Sequence, residues 1–512
     1  MLVLETAPPR VTLRNAPAVP FDGAIAAART CYSPRLIEAG EITERQRDTI
    51  GRLTFDGGHH TVFQHAHFEF GLENISRQFV WSVLHSHPFY NSEQQSQRYV
   101  KLGEPKAYVP PIDGEAKAIY ERAIVDAWDT YRVLSEILRD DTFRILRELR
   151  YVTPRASAER LAAIERDAVK KAIEIARYVI PLAAFTTMVH TVSGITLYRL
   201  LRLARAGDTP TEATAVIEAM VAAVRAHDPQ FFERVDVSSL PADVLPEIRM
   251  PRGRDGDRFA ARFDARLEGR VSKLVDWSPH AERVVAEAVR DVFGLSDDEL
   301  ADDDAIERAL DPALNTHRLD TLQLAHHSPL MRALQHPSYT FLKRLSHAAD
   351  SQDQRHRLVP ASRPMMTLSD TTRPDYVTPP LVAANPRAHA VYVAAIERAW
   401  AAKNGLLALG VPVEMALYVL PNAKRVRYVE SGSLVALLHK WTMRTCFNAQ
   451  EEIYAASMDE VAQVQAVHPR LGRHIGPPCV VRNGLISPRC TEGTHFCGVP
   501  VWRDFPNAAR RL

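Results

Sequence analysis

At 512 residues, with 46% apolar and 24% charged residues, the chain can bury more than one hydrophobic core, which excludes a disordered or small disulfide-held protein. Its formal net charge of +1 provides no bulk field for nucleic acid or an anionic membrane, so any anion must be held by locally placed arginines. Five cysteines suit a reducing compartment, and the start Met1-Leu2-Val3-Leu4-Glu5 lacks the basic and apolar regions of a signal peptide, so a cytoplasmic protein is expected.

In chain order, Val11-Thr12-Leu13 reads as a short strand, and Ala24 to Arg29 as a helix because small apolar residues recur at helical spacing. His65 to Leu72 alternates in the strand manner, with Gln64, Ala66, Phe68 and Phe70 on one face and His65, His67 and Glu69 on the other. Two long amphipathic helices follow, about Glu115 to Leu149 and Arg160 to Val179, and Pro181 ends the second. Tyr178 to Tyr198 is apolar enough to suggest a bilayer span, but Pro181, His190 and several threonines make it a buried helix instead. From Pro241 to about Val275 the chain turns charged and irregular around Pro251 to Arg258, which marks a domain boundary. Beyond it come a helix near His280 to Phe293, an acidic segment Ser296 to Asp304, a strand at Tyr339 to Leu342 and a helix near Ala388 to Leu407.

The second half repeats the first. His65 to Phe70, Ser76-Arg77 and Gln94-Gln95-Ser96-Gln97-Arg98-Tyr99 correspond to His336 to Phe341, Ser346-His347 and a close on Arg355-His356-Arg357. Glu174 to Pro181 likewise matches Glu414 to Pro421, and two matched blocks in one order argue duplication. A pseudo-symmetric pair is predicted: domains 1–240 and 276–470, a linker 241–275, and an extension 471–512. Each copy keeps what the other lacks, a polar tail in the first and a basic triplet in the second.

Ser96 and Arg98 lie two apart, so on an extended segment a hydroxyl and a guanidinium would face one oxyanion such as phosphate, and Gln94 shares their parity. A plain polar edge strand is the alternative. Arg355-His356-Arg357 sets two permanent cations around an imidazole, suited to phosphate or to charge developing on a ring, although an isolated basic triplet is usually solvated surface. Arg177 and Arg444 sit in apolar helical contexts, where a buried guanidinium needs a structural carboxylate or a ligand anion. Near the end, Cys479, Cys490, His495 and Cys497 gather ligands for a structural zinc, with His474 as another fourth ligand and three reduced buried thiols as the alternative. Cys31 and Cys446 stand alone.

These blocks together resemble the flavin-dependent thymidylate synthases, through Ala27 to Tyr32, Gly58 to His65, Ser92 to Tyr99, Ala176 to Pro181, His336 to Arg357, Ala416 to Pro421, and Arg444 with Ala449 to Ile453. The resemblance implies a helix-rich α/β protein of the α+β type: two tandem domains, each a small mixed or antiparallel sheet packed with long helices. It implies reductive methylation of dUMP at C5, with FAD as carrier and NADPH and methylene-tetrahydrofolate as co-substrates. Methylation of another pyrimidine nucleotide, or a catalytically silent nucleotide- or flavin-binding role, is the alternative. The family forms homotetramers with active sites between subunits, so a homodimer making a pseudo-tetramer is expected, with nucleotide and folate as partners and neither nucleic acid nor membrane. The family signature, Arg-His-Arg followed by Ser-x-Arg-Tyr, is split between the copies: His85-Ser86-His87-Pro88 replaces the triplet in the first, and Leu358 to Pro364 replaces the tail in the second. Carried over by residue, Gln94, Ser96, Arg98 and Arg177 would bind dUMP, and Arg355, His356 and Arg444 would serve catalysis. Cys31, His59, Thr61, His65, Arg355, His356 and Arg357 would face FAD.

Overall fold

Each half folds around one four-stranded antiparallel sheet, ordered β1-β2-β4-β3 in the first and β5-β6-β8-β7 in the second. The computed structural model describes residues 3–98, 100–153, 155–249 and 255–512. In the first half the strands are β1 (Arg10–Asn15), β2 (His67–Ser76), β3 (Asn91–Gln94) and β4 (Phe185–Ser193). In the second they are β5 (Ser272–Trp277), β6 (Ser338–Ser346), β7 (Ala361–Ser362) and β8 (Arg425–Ser433). The predicted alternation decides which face of β2 is inside: Ala66, Phe68 and Phe70 are buried, while His65 and His67 are exposed. The strand begins at His67 rather than His65, because His60–Gln64 forms a 3-10 helix.

The two central strands end alike. Ser76 and Ser346 cap the helices Arg77–Ser86 and His347–Asp353 by accepting the Phe79 and Ala349 N–H groups at 2.9 and 3.0 Å. Each serine also meets a glutamate: Ser76 Oγ donates to the buried Glu212 and Ser346 Oγ to the half-buried Glu452, both at 2.6 Å. Tyrosines crossing from the opposite half complete the two sets, Tyr418 donating to Glu212 at 2.5 Å and Tyr178 to Glu452 at 2.6 Å. Those tyrosines come from the repeated Glu174–Pro181 and Glu414–Pro421 blocks, which lie against each other. Leu182 N–H donates to Leu420 O and Asn422 N–H to Ile180 O, both at 2.8 Å, around a Pro181–Pro421 bridge.

The largest apolar cluster is shared by both halves and includes Tyr120, Ile124 and Trp128 from the helix Gly114–Leu149 and Tyr392, Ile396 and Trp400 from the helix Pro386–Ala408. At roughly 1.5–3 kcal/mol for each large apolar side chain buried, this seam ties the halves into one folding unit. Separate cores lie behind each sheet, and a small fourth one forms around the C-terminal extension.

Two expectations are corrected. Tyr178–Tyr198 is not one buried helix but a 3-10 turn, strand β4 and the start of the helix Gly194–Arg202, since Thr186, Thr187, Val189, Thr191 and Val192 are β-branched and favour the pleated form. No described helix is long and apolar enough to cross a membrane. The segment read as an irregular linker, 241–275, contains a capped helix, Gly256–Leu267, and the first residues of β5. Phe259, Phe263 and Leu267, hidden among arginines in the sequence, pack together with Leu342. The breaker residues Pro251, Arg252, Gly253 and Arg254 lie outside the described residues.

Candidate functional site

The two complementary remnants meet within one chain. Strand β3 is held on β4 by the pairs Ser92–His190 and Gln94–Met188. The basic triplet follows the helix His347–Asp353 as a turn, and its two arginines reach back to β3. Arg355 donates to Ser92 O at 2.8 Å and to both Glu93 carboxylate oxygens at 3.0 and 3.1 Å, and Arg357 donates to Asn91 Oδ1 at 3.1 Å. Tyr90 OH closes the contact on Gln354 O at 3.0 Å, with the Arg357 guanidinium 5.4 Å from its ring centre.

His356 turns inward instead. Arg444 Nε donates to His356 Nε2 at 2.8 Å, which leaves the ring proton on Nδ1, and Arg444 also donates to Gln352 O at 2.8 Å. Burial, and then the Arg444 charge, hold His356 well below its ordinary pKa, so it is neutral at pH 7. The turn is anchored by Asp353, which accepts from Lys343 and Lys440, both at 2.9 Å, in a fully buried ionic group that also contains Glu430 and Glu460.

The tail after β3 departs from expectation. The strand ends at Gln94, and Ser96 to Arg98 form a turn in which Ser96 Oγ accepts the Arg98 N–H at 3.2 Å, so the two side chains do not present themselves by strand parity. Gln94 Oε1 accepts from Arg77 at 3.1 Å. Arg98 donates to Glu174 and to the Asn448 carbonyl, both at 2.6 Å, and Arg177 donates to Gln450 at 3.1 Å. Tyr99 lies outside the described residues.

Arg77, Arg98 and Arg177 of the first half thus come together with Arg355 and Arg444 of the second. Arg77 is pushed down to about 10 by burial, then by the charges of Arg177 and Arg355. Arg444 also falls to about 10 through burial, with Asp353 opposing and Arg98 and Arg355 adding to the drop. Arg177 is lowered by burial against the pull of Glu174. Burial raises Glu174, but Lys171 and Arg98 outweigh it and hold the carboxyl below the usual range. Among the described residues, the buried atoms Arg77 Nε, Arg177 Nε, Gln97 Nε2 and Gln352 Oε1 find no hydrogen-bond partner, an arrangement that costs free energy unless a ligand shares it. Arg77 escaped the sequence reading, although a cation placed at the start of a buried helix was its signal.

Beside this group, a cavity of about 290 Å³ is lined by Arg98, Lys171, Glu174, Asn448 and His495. A second, of about 250 Å³, opens next to His439, whose ring stands 5.7 Å from His356, and is lined by His317, Arg318, Thr442 and Met443 as well. Among the described residues, Arg318 NH1 and His439 Nδ1 find no hydrogen-bond partner. His439, His317 and Arg318 were not singled out by motif, since they come from segments with no distinctive spacing. The first-half residues assigned to flavin do not join the arginine group. Cys31 is exposed, its Sγ 3.8 Å from Ala27 O, and Thr61 lies in the 3-10 helix beside the first half's own core, with His59 and His65 at its two ends.

The thiols also regroup. His495 lines the Arg98 cavity rather than the cysteine cluster, and His474 is engaged by Glu307 at 2.9 Å. Cys446, read as solitary, joins Cys479, Cys490 and Cys497 around one small cavity. Among the described residues, no group of three or more His, Cys, Asp or Glu side chains is placed so that it could hold a metal ion as it stands.

The architecture is that of a duplicated α+β protein with a composite cationic pocket between its copies. The model of the thymidylate synthase complementing protein family matches residues 18–230 and 273–470, so the chain belongs to that family, with one match for each half. It is similar to a flavin-dependent thymidylate synthase of Sulfolobus acidocaldarius, 29% identical over 252 residues that cover 44% of this chain and 91% of the relative. A protein of the same name from Geobacter sulfurreducens is 31% identical over 229 residues, covering 44% of this chain and 92% of the relative. Each relative therefore corresponds in length to about one half of this chain.

Proposed function

We propose that the chain is a flavin-dependent thymidylate synthase in which the two halves build one working site, methylating dUMP at C5 to dTMP with methylene-tetrahydrofolate and NADPH as co-substrates. The observation that carries this reading is the convergence of Arg77, Arg98 and Arg177 with Arg355 and Arg444, with buried donors left unpaired. A monoanionic or dianionic nucleotide phosphate offsets that charge, whereas a neutral substrate does not.

In this proposal Arg98 and Arg177 hold the phosphate, with Ser96 supporting the turn. Gln94 offers its amide to the base edge. Arg355 and Arg444 stabilise negative charge as it develops on the uracil ring, in a site where low polarity strengthens the interaction. His356 stays neutral and acts by fixing Arg444, to which it offers a lone pair. Glu93 is 83% exposed on its side chain, so its pairing with Arg355 is worth less than about 1 kcal/mol and yields to substrate.

The residues near His356 suit one portion of a flavin: the cavity of about 250 Å³ beside His439 has Arg318 and His439 donors, unpaired among the described residues, for an acceptor-rich group, and Met443 and Leu438 supply apolar walls. When bound, the flavin supplies the electron-transfer chemistry that side chains lack. His356, His439 and Arg318 would hold it within one chain. Cys31, His59, Thr61 and His65 could contribute only across a homodimer, which we include in the proposal as a pseudo-tetramer. Purified full-length protein should carry flavin absorbance, or acquire it from added FAD, and should rescue a thymidine auxotroph. Arg98→Ala and Arg355→Ala should each abolish rescue; rescue by both variants refutes the reading.

A further inference from the structure

The C-terminal extension crosses back over the second half and closes one wall of the Arg98 cavity, and four cysteines meet where it does so. Cys446 follows the helix Leu434–Arg444, Cys479 lies in the short helix Pro478–Val481, and Cys490 and Cys497 flank the turn Gly493–His495. All four side chains are free thiols. They line a single cavity with room for one atom-sized guest, walled by Phe447, Pro478 and Val501. The surrounding cluster is apolar, built on Ile453, Tyr454 and Val501, so water gives the thiols little competition.

Three sequence-distant segments converging four soft donors on one small space is a ligand set, not a packing accident of a single loop. A backbone donor supports it: the Asn448 N–H points at Cys446 Sγ at 3.5 Å, two residues on, a contact that stabilises sulfur as an electron-rich ligand. We propose that Cys446, Cys479, Cys490 and Cys497 bind one structural zinc ion, with Cys446 in the place that sequence spacing gives to His495. Among the described residues no three such side chains stand where they could hold a metal ion as they are, so binding requires the four thiols to turn from their present rotamers into the cavity they line. On binding, four S–H protons pass to solvent as four Zn–S bonds form, with no change of oxidation state.

The consequence reaches the proposed nucleotide site through the backbone. Asn448 O accepts from Arg98 at 2.6 Å, and Ala449 O accepts from Arg510 at 2.6 Å, so the turn that carries Cys446 also positions Arg98. The zinc acts as a clamp between that turn and residues 479–497. The inference rests on the cysteine geometry alone and stands or falls separately from the synthase reading.

The test is metal analysis of full-length protein purified from zinc-supplemented culture without chelator. One zinc per chain is expected, lost in Cys446→Ser and retained in His495→Ala. Replacement by cobalt should give the intense thiolate-to-metal absorption of a four-sulfur site, a readout on the wild-type chain that does not depend on a variant folding. Absence of stoichiometric zinc together with no cobalt absorption overturns the proposal, as does zinc that survives Cys446→Ser or disappears in His495→Ala.

Discussion

Two equivalent places in the molecule have been treated in opposite ways. Where β3 of the first half meets the triplet of the second, five arginines gather and buried donors remain unpaired. Where the tail of the second half meets the helix Arg77–Ser86 of the first, charge is cancelled internally: Arg363 donates twice to Asp350, at 2.8 and 3.1 Å, and Trp81 Nε1 adds a third bond at 2.9 Å. Two histidines at that second place stay neutral, burial pushing His347 down to about 3 and His87 to about 4. Duplication kept one fold and divided its electrostatics. An anion entering the first place meets the Nε donors of Arg77 and Arg177, unpaired among the described residues, whereas in the second Arg363 is already held by Asp350 and the buried atoms left without partners there are ring nitrogens of histidines such as His87 and His347.

The same contrast runs beneath the surface. Asp353 anchors the triplet through Lys343 and Lys440, whereas the corresponding core of the first half is built from residues such as Val83, Leu200 and Met220. Asp353→Ala should therefore lower stability by about 3–5 kcal/mol, since it leaves buried lysines unmatched; urea denaturation measures this, and a loss below 1 kcal/mol would mean that the ionic group is solvated. Next in size, Arg98→Ala should raise the nucleotide dissociation constant by roughly tenfold to over a hundredfold, as expected for loss of a charged hydrogen bond. Arg363→Ala should instead lower the melting temperature and leave nucleotide affinity alone, so equal effects on binding from the two arginines would erase the distinction between the places.

Glu212 gives a smaller, pH-dependent effect. Burial lifts its carboxyl from 4.5 to about 7, against the Ser76 and Tyr418 donors. Because the folded chain holds that proton more tightly than the unfolded chain, the contribution is full below about pH 4.5 and is lost as pH rises through about 7. Glu212→Gln should flatten that fall in denaturation measured across the same interval; an unchanged slope assigns it to other groups. Smallest of all, Glu93→Gln should alter nucleotide affinity by less than about fivefold, because the Arg355 pair it breaks is exposed.

Much of this was readable in advance. The alternation of Ala66, Phe68 and Phe70, the two long helices and the repeated blocks around Pro181 and Pro421 each carry a strong local period or an internal copy. Arg98, Arg177, Arg355 and Arg444 stood out because charged residues in apolar or patterned surroundings need a partner, and each has one in the fold: Glu174, Gln450, Glu93 and His356. The misses share a physical cause. Tertiary pairing turned the stretch after Pro181 into a strand, and apolar residues spaced four apart among arginines hid the helix Gly256–Leu267. Arg77, His439 and Cys446 acquire meaning only through residues tens to hundreds of positions away, which no local spacing encodes. Cys31, His59, Thr61 and His65 of the first copy stand apart from the arginine group for a related reason: motif matching names a copy, and only packing says which copy's motif lies beside the triplet.

The central claim is that one site closes within one chain from both halves. It is tested most directly by co-expressing Arg98→Ala and Arg355→Ala chains in a thymidine auxotroph and assaying the mixed protein. A site closed within the chain leaves every site carrying one defect, so neither rescue nor synthase activity returns. Restored activity in the mixture, absent from either variant alone, would show that sites form between chains and contradict the account.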